Sequence, residues 1–195
     1  MLYDAFSFLV RNLAGFFILN LLLRFYLQVV RAPFGHPLAQ FTVKLTNFVV
    51  LPVRRLIPSV AGYDSATLLL AWLTALLMHV LLLLMSPLPL NFLSPNAALG
   101  LAMLALLALM QFSFYLMLGA VFIQAIMSWV NPYNPLTPVL DALTRPLLAP
   151  VRRILPLLGG IDLSPLVLIL ALQMLLQFVV APIESRLLAY IFLAQ

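Results

Sequence analysis

The sequence predicts an all-α membrane protein of about four transmembrane helices, built as two parallel repeats that each carry a cytoplasmic interfacial amphipathic helix. Three observations carry that prediction. Charged residues make up 8% of the chain and apolar residues 65%, with a mean hydropathy of +1.17, whereas soluble domains are about 25% charged. No Asp, Glu, Lys or Arg occurs between Ser65 and Leu140. The two halves of the chain also repeat one another. A soluble fold of this length has too little interior to hide so much apolar surface, so lipid must be the solvent for most of it.

The first repeat covers 1–96, with a span over 6–30, an amphipathic helix over 38–51, a span over 66–85 and a loop over 86–96. The second covers 97–195, with a span over 97–130, an amphipathic helix over 136–149 and a span over 165–183. The first apolar segment follows no positive leader and precedes no nearby small-residue cleavage site, so it reads as a retained helix. Its uncharged core, Asn12 to Leu23, is about 18 Å long in helical form. That is short of a bilayer unless Arg11 and Arg24 snorkel to opposite faces or point into the bundle.

The second span, 66–85, is long enough to cross unaided, and Pro87, Pro89 and Pro95 mark the loop after it. The third apolar run would be about 50 Å long if unbroken. It must tilt, protrude or break.

Between the spans of each repeat lies a helical stripe. Leu136, Val139, Leu140, Leu143 and Leu147 recur at spacings of three and four, and Leu38, Phe41, Leu45, Phe48 and Val49 do the same in the first half. Polar residues oppose both stripes, which places these helices in the headgroup region. Thr137 is expected to cap the second of them ahead of Pro138, and Pro52 and Pro150 to end them.

Sliding the chain so that Pro37 falls on Pro135 aligns the halves without a gap. Leu38, Leu45, Thr46, Pro52, Val53, Arg54, Arg55, Pro58, Gly62 and Asp64 then fall on Leu136, Leu143, Thr144, Pro150, Val151, Arg152, Arg153, Pro156, Gly160 and Asp162. Chance matching of leucines does not produce coincident Pro, Gly and Arg positions. Each unit crosses twice, so both units enter the membrane in the same direction, related by an axis along its normal. The basic residues cluster between the spans of each unit, which by the positive-inside rule makes those segments cytoplasmic and leaves both termini outside.

The sharpest local motif is Pro-Val-Arg-Arg-Leu/Ile-x-Pro. It reads either as a rigid elbow obeying the positive-inside rule or as a docking site for acidic headgroups or an acidic partner surface. The residues concerned are Arg54, Arg55, Arg152 and Arg153, with Arg145 nearby. Anionic phospholipids are the expected contact, and the net charge of +5 does not indicate nucleic acid, because the basic residues flank spans.

Within the spans, Arg24, His79, Gln173 and Gln177 are the polar candidates, His79 and Gln177 being equivalent in the repeat. Such groups face protein more often than lipid. Interhelical hydrogen bonding is the plain account and a solute path the sharper one; no acidic residue lies deep in a span to drive proton coupling.

Gly159-Gly160-Ile161-Asp162-Leu163-Ser164-Pro165 lacks the lysine of a phosphate loop and reads as a turn, with Ser164 capping the next helix and Pro165 starting it. With no cysteine, two histidines and five carboxylates, no catalytic or metal-ligating constellation emerges, and neither an enzyme nor a cofactor is expected.

The second unit, with Asn131-Pro132, Asn134-Pro135, Pro150-Val151-Arg152-Arg153-Ile154-Leu155-Pro156 and the glycine motif above, resembles the YggT family of bacterial membrane proteins, which includes YlmG proteins. The first unit departs from it, with Arg31-Ala32-Pro33-Phe34-Gly35-His36-Pro37 in place of the Asn-Pro pair and Ser59 to Asp64 loosening the glycine motif. The resemblance implies a multi-pass inner-membrane protein with its basic loops cytoplasmic. It also implies links to osmotic stress tolerance, ion homeostasis, or envelope and division processes.

The expectation is a non-enzymatic organiser or assembly factor contacting lipid and a membrane-protein partner. The competing expectation is an oligomeric ion channel or transporter component, with a homo-oligomer of this chain as its frame.

Overall fold

The computed structural model describes residues 2–33, 35–59, 62–86, 94–131, 134–155 and 162–193. Its elements are α1 (Leu2–Val29), α2 (Pro37–Leu56), α3 (Ser65–Leu84), α4 (Pro95–Val130), α5 (Thr137–Ile154), α6 (Ser164–Leu175), a π turn (Leu176–Val180) and α7 (Ala181–Leu193). Four rods are long and apolar enough to cross a membrane: Tyr3–Val29, Ser65–Leu84, Pro95–Ser128 and Ser164–Phe192. The chain is therefore an all-α, multi-pass membrane protein. Most of the proline-rich loop, 87–93, and residues 156–161, which include the first three residues of the glycine motif, lie outside the described residues.

Local chemistry sets the helix ends. After α1 the backbone turns through Arg31 at φ 52°; its N–H reaches the Gln28 carbonyl at 3.1 Å and the Ala32 N–H reaches Leu27 at 2.9 Å. That is the Schellman arrangement, with arginine where glycine is usual. His36 Nδ1 accepts from the Leu38 N–H at 3.1 Å to open α2, and the Ser94 hydroxyl accepts from the Ala97 N–H at 3.2 Å to open α4.

Two start signals fall differently from expectation. Thr137 and Ser164 are already inside α5 and α6, and earlier residues do the capping. Asn134 Oδ1 accepts from the Leu136 N–H and Asp162 Oδ1 from the Ser164 N–H, each at 2.9 Å.

The first proline of the basic motif does not stop α2 or α5. α2 runs through Pro52 to Leu56, and α5 through Pro146 and Pro150 to Ile154. Both end where the sequence reaches its next proline. Ile57, before Pro58, is extended at φ −119° and ψ 107°, and Leu155, before Pro156, at φ −98° and ψ 116°. A residue preceding proline is driven out of the α region, whereas one proline within a helix removes a single hydrogen bond that packing compensates.

α4 is unbroken for 36 residues, about 54 Å of helix. The last rod runs beyond 183 to Leu193, its Pro182 standing just after the π turn, where the Ala181 N–H reaches back to the Leu176 carbonyl. Widening the ladder in this way is a common means of relieving the proline clash.

The core lies where α1, α3 and α4 meet, around Ile18, Leu22, Ala75, Met78, Ala105 and Ala108. Buried alanines at 71 and 75 on one face of α3 permit close helix approach without a hydrophobic drive from water. A second cluster, Leu27, Ala39, Val139 and Leu143, gathers α2 and α5 around the end of α1 and puts both at one end of the bundle.

α2 and α5 bury different faces. α5 buries Val139, Leu140 and Leu143 of the expected stripe together with Thr144 and Leu148. α2 instead buries Ala39, Thr42, Thr46 and Val50, leaving Phe41 and Phe48 54% and 69% exposed. Small and hydroxyl-bearing residues face the protein there, because Thr46 has a polar partner to meet.

Candidate functional site

The basic end is built from the last turns of α2 and α5. Arg54-Arg55 and Arg152-Arg153 sit where the terminal carbonyls favour positive charge. Arg54 Nη2 lies 2.9 Å from Asp64 Oδ2, and Arg152 Nε lies 2.8 Å from Asp162 Oδ2. The pairs tie the end of α2 to the start of α3 and the end of α5 to the start of α6. Arg55, Arg145 and Arg153 are exposed and form no ion pair with any described residue.

In the first repeat the clamp extends inward. Asp64 is 1% exposed and caps α3, accepting from the Thr67 N–H at 3.3 Å and the Thr67 hydroxyl at 2.6 Å. Arg24, 6% exposed, comes from α1 with its Nε 4.0 Å from the same carboxylate. Its Nη1 donates to Thr46 Oγ1 at 2.8 Å and to Asn47 Oδ1 at 2.9 Å. Burial pushes the Asp64 carboxyl up, but the Thr67 hydroxyl and the Arg54 guanidinium outweigh it and hold it below the usual carboxylate range.

The second repeat varies this scheme. Gln124, from α4, accepts from the Thr144 hydroxyl and donates to Asp141. Asp162 is more exposed than Asp64; burial raises its carboxyl, and Ser164 and Arg152 together hold it lower. A cavity of about 660 Å³ opens between α4, α5 and α6, lined by Phe122, Gln124, Asp141, Arg152 and Asp162 among others.

The four intramembrane candidates do not come together. Arg24 is consumed by the network just described. His79 hydrogen-bonds Ala75 O at 2.8 Å and faces a cavity of about 520 Å³ at the opposite end, beside Arg11, Gln111 and Glu184. Gln173 and Gln177, expected to face protein, lie exposed on the outer side of the last rod, one turn apart. They therefore line no path through one copy of the chain with Arg24 or His79. Among the described residues, no group of three or more His, Asp or Glu is placed to hold a metal ion.

The residues that complete the network, Asp64, Asp162, Thr46, Thr144 and Gln124, were not singled out as partners by sequence. For four of them the signal lies in the repeat, since Thr46 with Thr144 and Asp64 with Asp162 are coincident positions; Gln124 falls on Tyr26 and carries no such signal.

Comparison with known proteins accords with the two-unit organisation of the chain. The family model described as CCB3/YggT matches residues 3–85 and again 103–183, one match to each repeat. A protein of Vibrio alginolyticus described as the uncharacterized protein in the proC 3' region is 40% identical over 171 residues, covering 87% of this chain and 90% of its own. The uncharacterized protein YggT of Escherichia coli K12 is 34% identical over 171 residues, covering 87% of this chain and 86% of its own. The uncharacterized protein PA0392 of Pseudomonas aeruginosa is 36% identical over 170 residues, covering 86% and 84%. No solved structure matches.

Proposed function

The chain belongs to the CCB3/YggT family and carries the family's unit twice, and from that premise we propose that it is a non-enzymatic organiser or assembly factor of the bacterial inner membrane. Its exposed basic edge contacts anionic phospholipid headgroups and a membrane-protein partner. The observation that carries this reading is the division of labour within each arginine pair. Arg54 and Arg152 are held by Asp64 and Asp162, while their neighbours Arg55 and Arg153 stay exposed at the same end of the bundle. A clamped arginine beside an exposed one presents a fixed, forked donor at the headgroup level, which suits phosphate oxygens.

The test is native mass spectrometry of protein released from nanodiscs containing phosphatidylglycerol. The triple variant Arg55→Glu/Arg145→Glu/Arg153→Glu retains fewer anionic lipids while its protease-protection pattern is unchanged. Equal lipid retention by the variant sinks the reading.

A second reading, an oligomeric channel or transporter component, rests on Gln173 and Gln177. Two amides exposed on one face of an apolar rod fit a seam between copies of this chain better than contact with lipid. Potassium flux into proteoliposomes that is lost in Gln173→Leu/Gln177→Leu favours it; protein that is inserted, folded and silent leaves the organiser reading in front. The links to osmotic tolerance and ion homeostasis suggested by the resemblance are compatible with either.

A further inference from the structure

The ungapped register of the two repeats shows how the charges around Asp64 and Asp162 differ: Phe122 stands in place of Arg24, and Asp141 in place of Val43. In the first repeat two guanidinium groups, Arg24 and Arg54, converge on a single buried carboxylate, Asp64. In the second, two carboxylates, Asp141 and Asp162, line one cavity with a single guanidinium, Arg152. The register that pairs Asp64 with Asp162 and Thr46 with Thr144 puts Phe122 in the place of Arg24. Phe122 is 57% exposed and lines that cavity. The second repeat thus keeps the aspartate and the arginine that clamps it but has no equivalent of Arg24; Asn47 is replaced by the exposed Arg145, and the Thr144 hydroxyl is taken by Gln124.

Several features make the space a receptor for a cation rather than a packing gap. At about 660 Å³ it has the volume of a small-molecule site. Asp141 is engaged by the Gln124 amide and Asp162 by Arg152, so both carboxylates are positioned while an acidic excess remains. Ile126, Leu140 and Ile169 form apolar walls, and such walls concentrate the field of the carboxylates within the cavity. The first repeat supplies the chemistry of the occupant, since Asp64, the equivalent of Asp162, has the Arg24 guanidinium beside it.

We propose that the cavity between α4, α5 and α6 binds a guanidinium or alkylammonium cation at the position that Arg24 fills in the first repeat. The cation is either a free small molecule or a basic side chain of a neighbouring membrane segment. This inference stands apart from the lipid-contact reading, which uses the outward arginines.

The test uses the full chain in nanodiscs and two probes, radiolabelled agmatine and an apolar peptide carrying one arginine, with the citrulline form of the peptide as control. Saturable agmatine binding identifies a free cation as the ligand. Binding of the arginine peptide, without binding of agmatine or the citrulline peptide, identifies a side chain. In either case Asp141→Asn and Asp162→Asn weaken binding at least about tenfold, as expected for losing one partner of a desolvated charge pair.

Phe122→Arg supplies the cation from within. It abolishes probe binding and melts above Ile123→Arg, which puts the same charge one residue along on an exposed face that does not line the cavity. Saturable binding of neither probe, or equal binding by the two aspartate variants and the parent, overturns the proposal. So does a Phe122→Arg protein that melts no higher than Ile123→Arg.

Discussion

Arg54 and Asp64 stand 2.9 Å apart and join the last turn of α2 to the first turn of α3, while Arg24 reaches the same carboxylate from α1 at 4.0 Å. One buried anion therefore gathers three helices. Asp162 has the same relation to Arg152 at 2.8 Å, but its side chain is 31% exposed and no arginine approaches it from α4. Identical motif residues thus carry unequal loads in the two repeats.

That inequality is measurable. Asp64→Asn leaves Arg24 buried without its counter-charge, a loss of about 3–5 kcal/mol for a broken buried pair. Asp162→Asn breaks a partly solvated pair, for which about 1 kcal/mol or less is expected. Unfolding of the purified protein by titration with denaturing detergent should separate the two variants clearly. Equal losses would show that Asp64 is not the anchor of the first repeat.

The same carboxylate gives the fold an acid limit. The folded Asp64 lies below its unfolded value of 3.8, held down by Thr67 and Arg54 against the upward push of burial. A depressed acid stabilises the folded state fully above the unfolded value, and that contribution drains away as pH falls through the folded one. Melting temperature should therefore hold from neutral pH down to about 4 and then fall. In Asp64→Asn this part of the fall is absent, and in Asp162→Asn it persists. A parent and an Asp64→Asn variant with parallel acid profiles would remove Asp64 from the account.

The four spans and the repeat were legible in the sequence because long uncharged runs and coincident Pro, Gly and Arg positions are hard to mimic by chance. The end of α2 was not. Pro52 looks like a terminator when read locally, yet the helix passes it and stops before Pro58, because packing tolerates one missing hydrogen bond while the pre-proline restriction at Ile57 acts directly on the backbone. Arg24 posed two choices, snorkelling or pointing inward, and only the meeting of α1 with α2 and α3 selects the second, since Thr46 and Asp64 are distant in sequence. The outward turn of Phe41 and Phe48 follows from that meeting. In lipid an apolar stripe need not face the core, so periodicity reveals the helix but not which side it buries.

Gly100 offers a test of how the two ends of the second repeat are joined. A Cβ at this position of α4 would clash with Ile191 Cγ1 on α7, and Ile191 is 1% exposed. Gly100→Leu should cost about 1–3 kcal/mol through overpacking and loosen α7 from α4. Gly119, on the same helix, meets nothing within 4 Å, so Gly119→Leu should be near neutral. Limited proteolysis of the C-terminal rod, faster in Gly100→Leu alone, is the readout. Similar rates in both variants would mean that the close approach does not hold α7 in place.

The exposed amides of the last rod make the final prediction. Gln173 and Gln177 lie on one side of it and face outward, in a segment with no charged residue between Asp162 and Glu184. An amide facing hydrocarbon gains by meeting another amide, at about 0.6 kcal/mol for an average interhelical bond in a membrane. Two such bonds change a dimerisation constant by roughly tenfold or less. The chain has no cysteine, so Gln177→Cys supplies a single reporter with no background. Oxidative crosslinking in the membrane should give a dimer, diluted away by excess lipid and weakened when Gln173→Leu is added. A cysteine at Met174, 59% exposed on the same rod, serves as the neighbouring-face control. If both cysteines crosslink to the same low extent regardless of Gln173, the amides meet something other than a second copy of this chain.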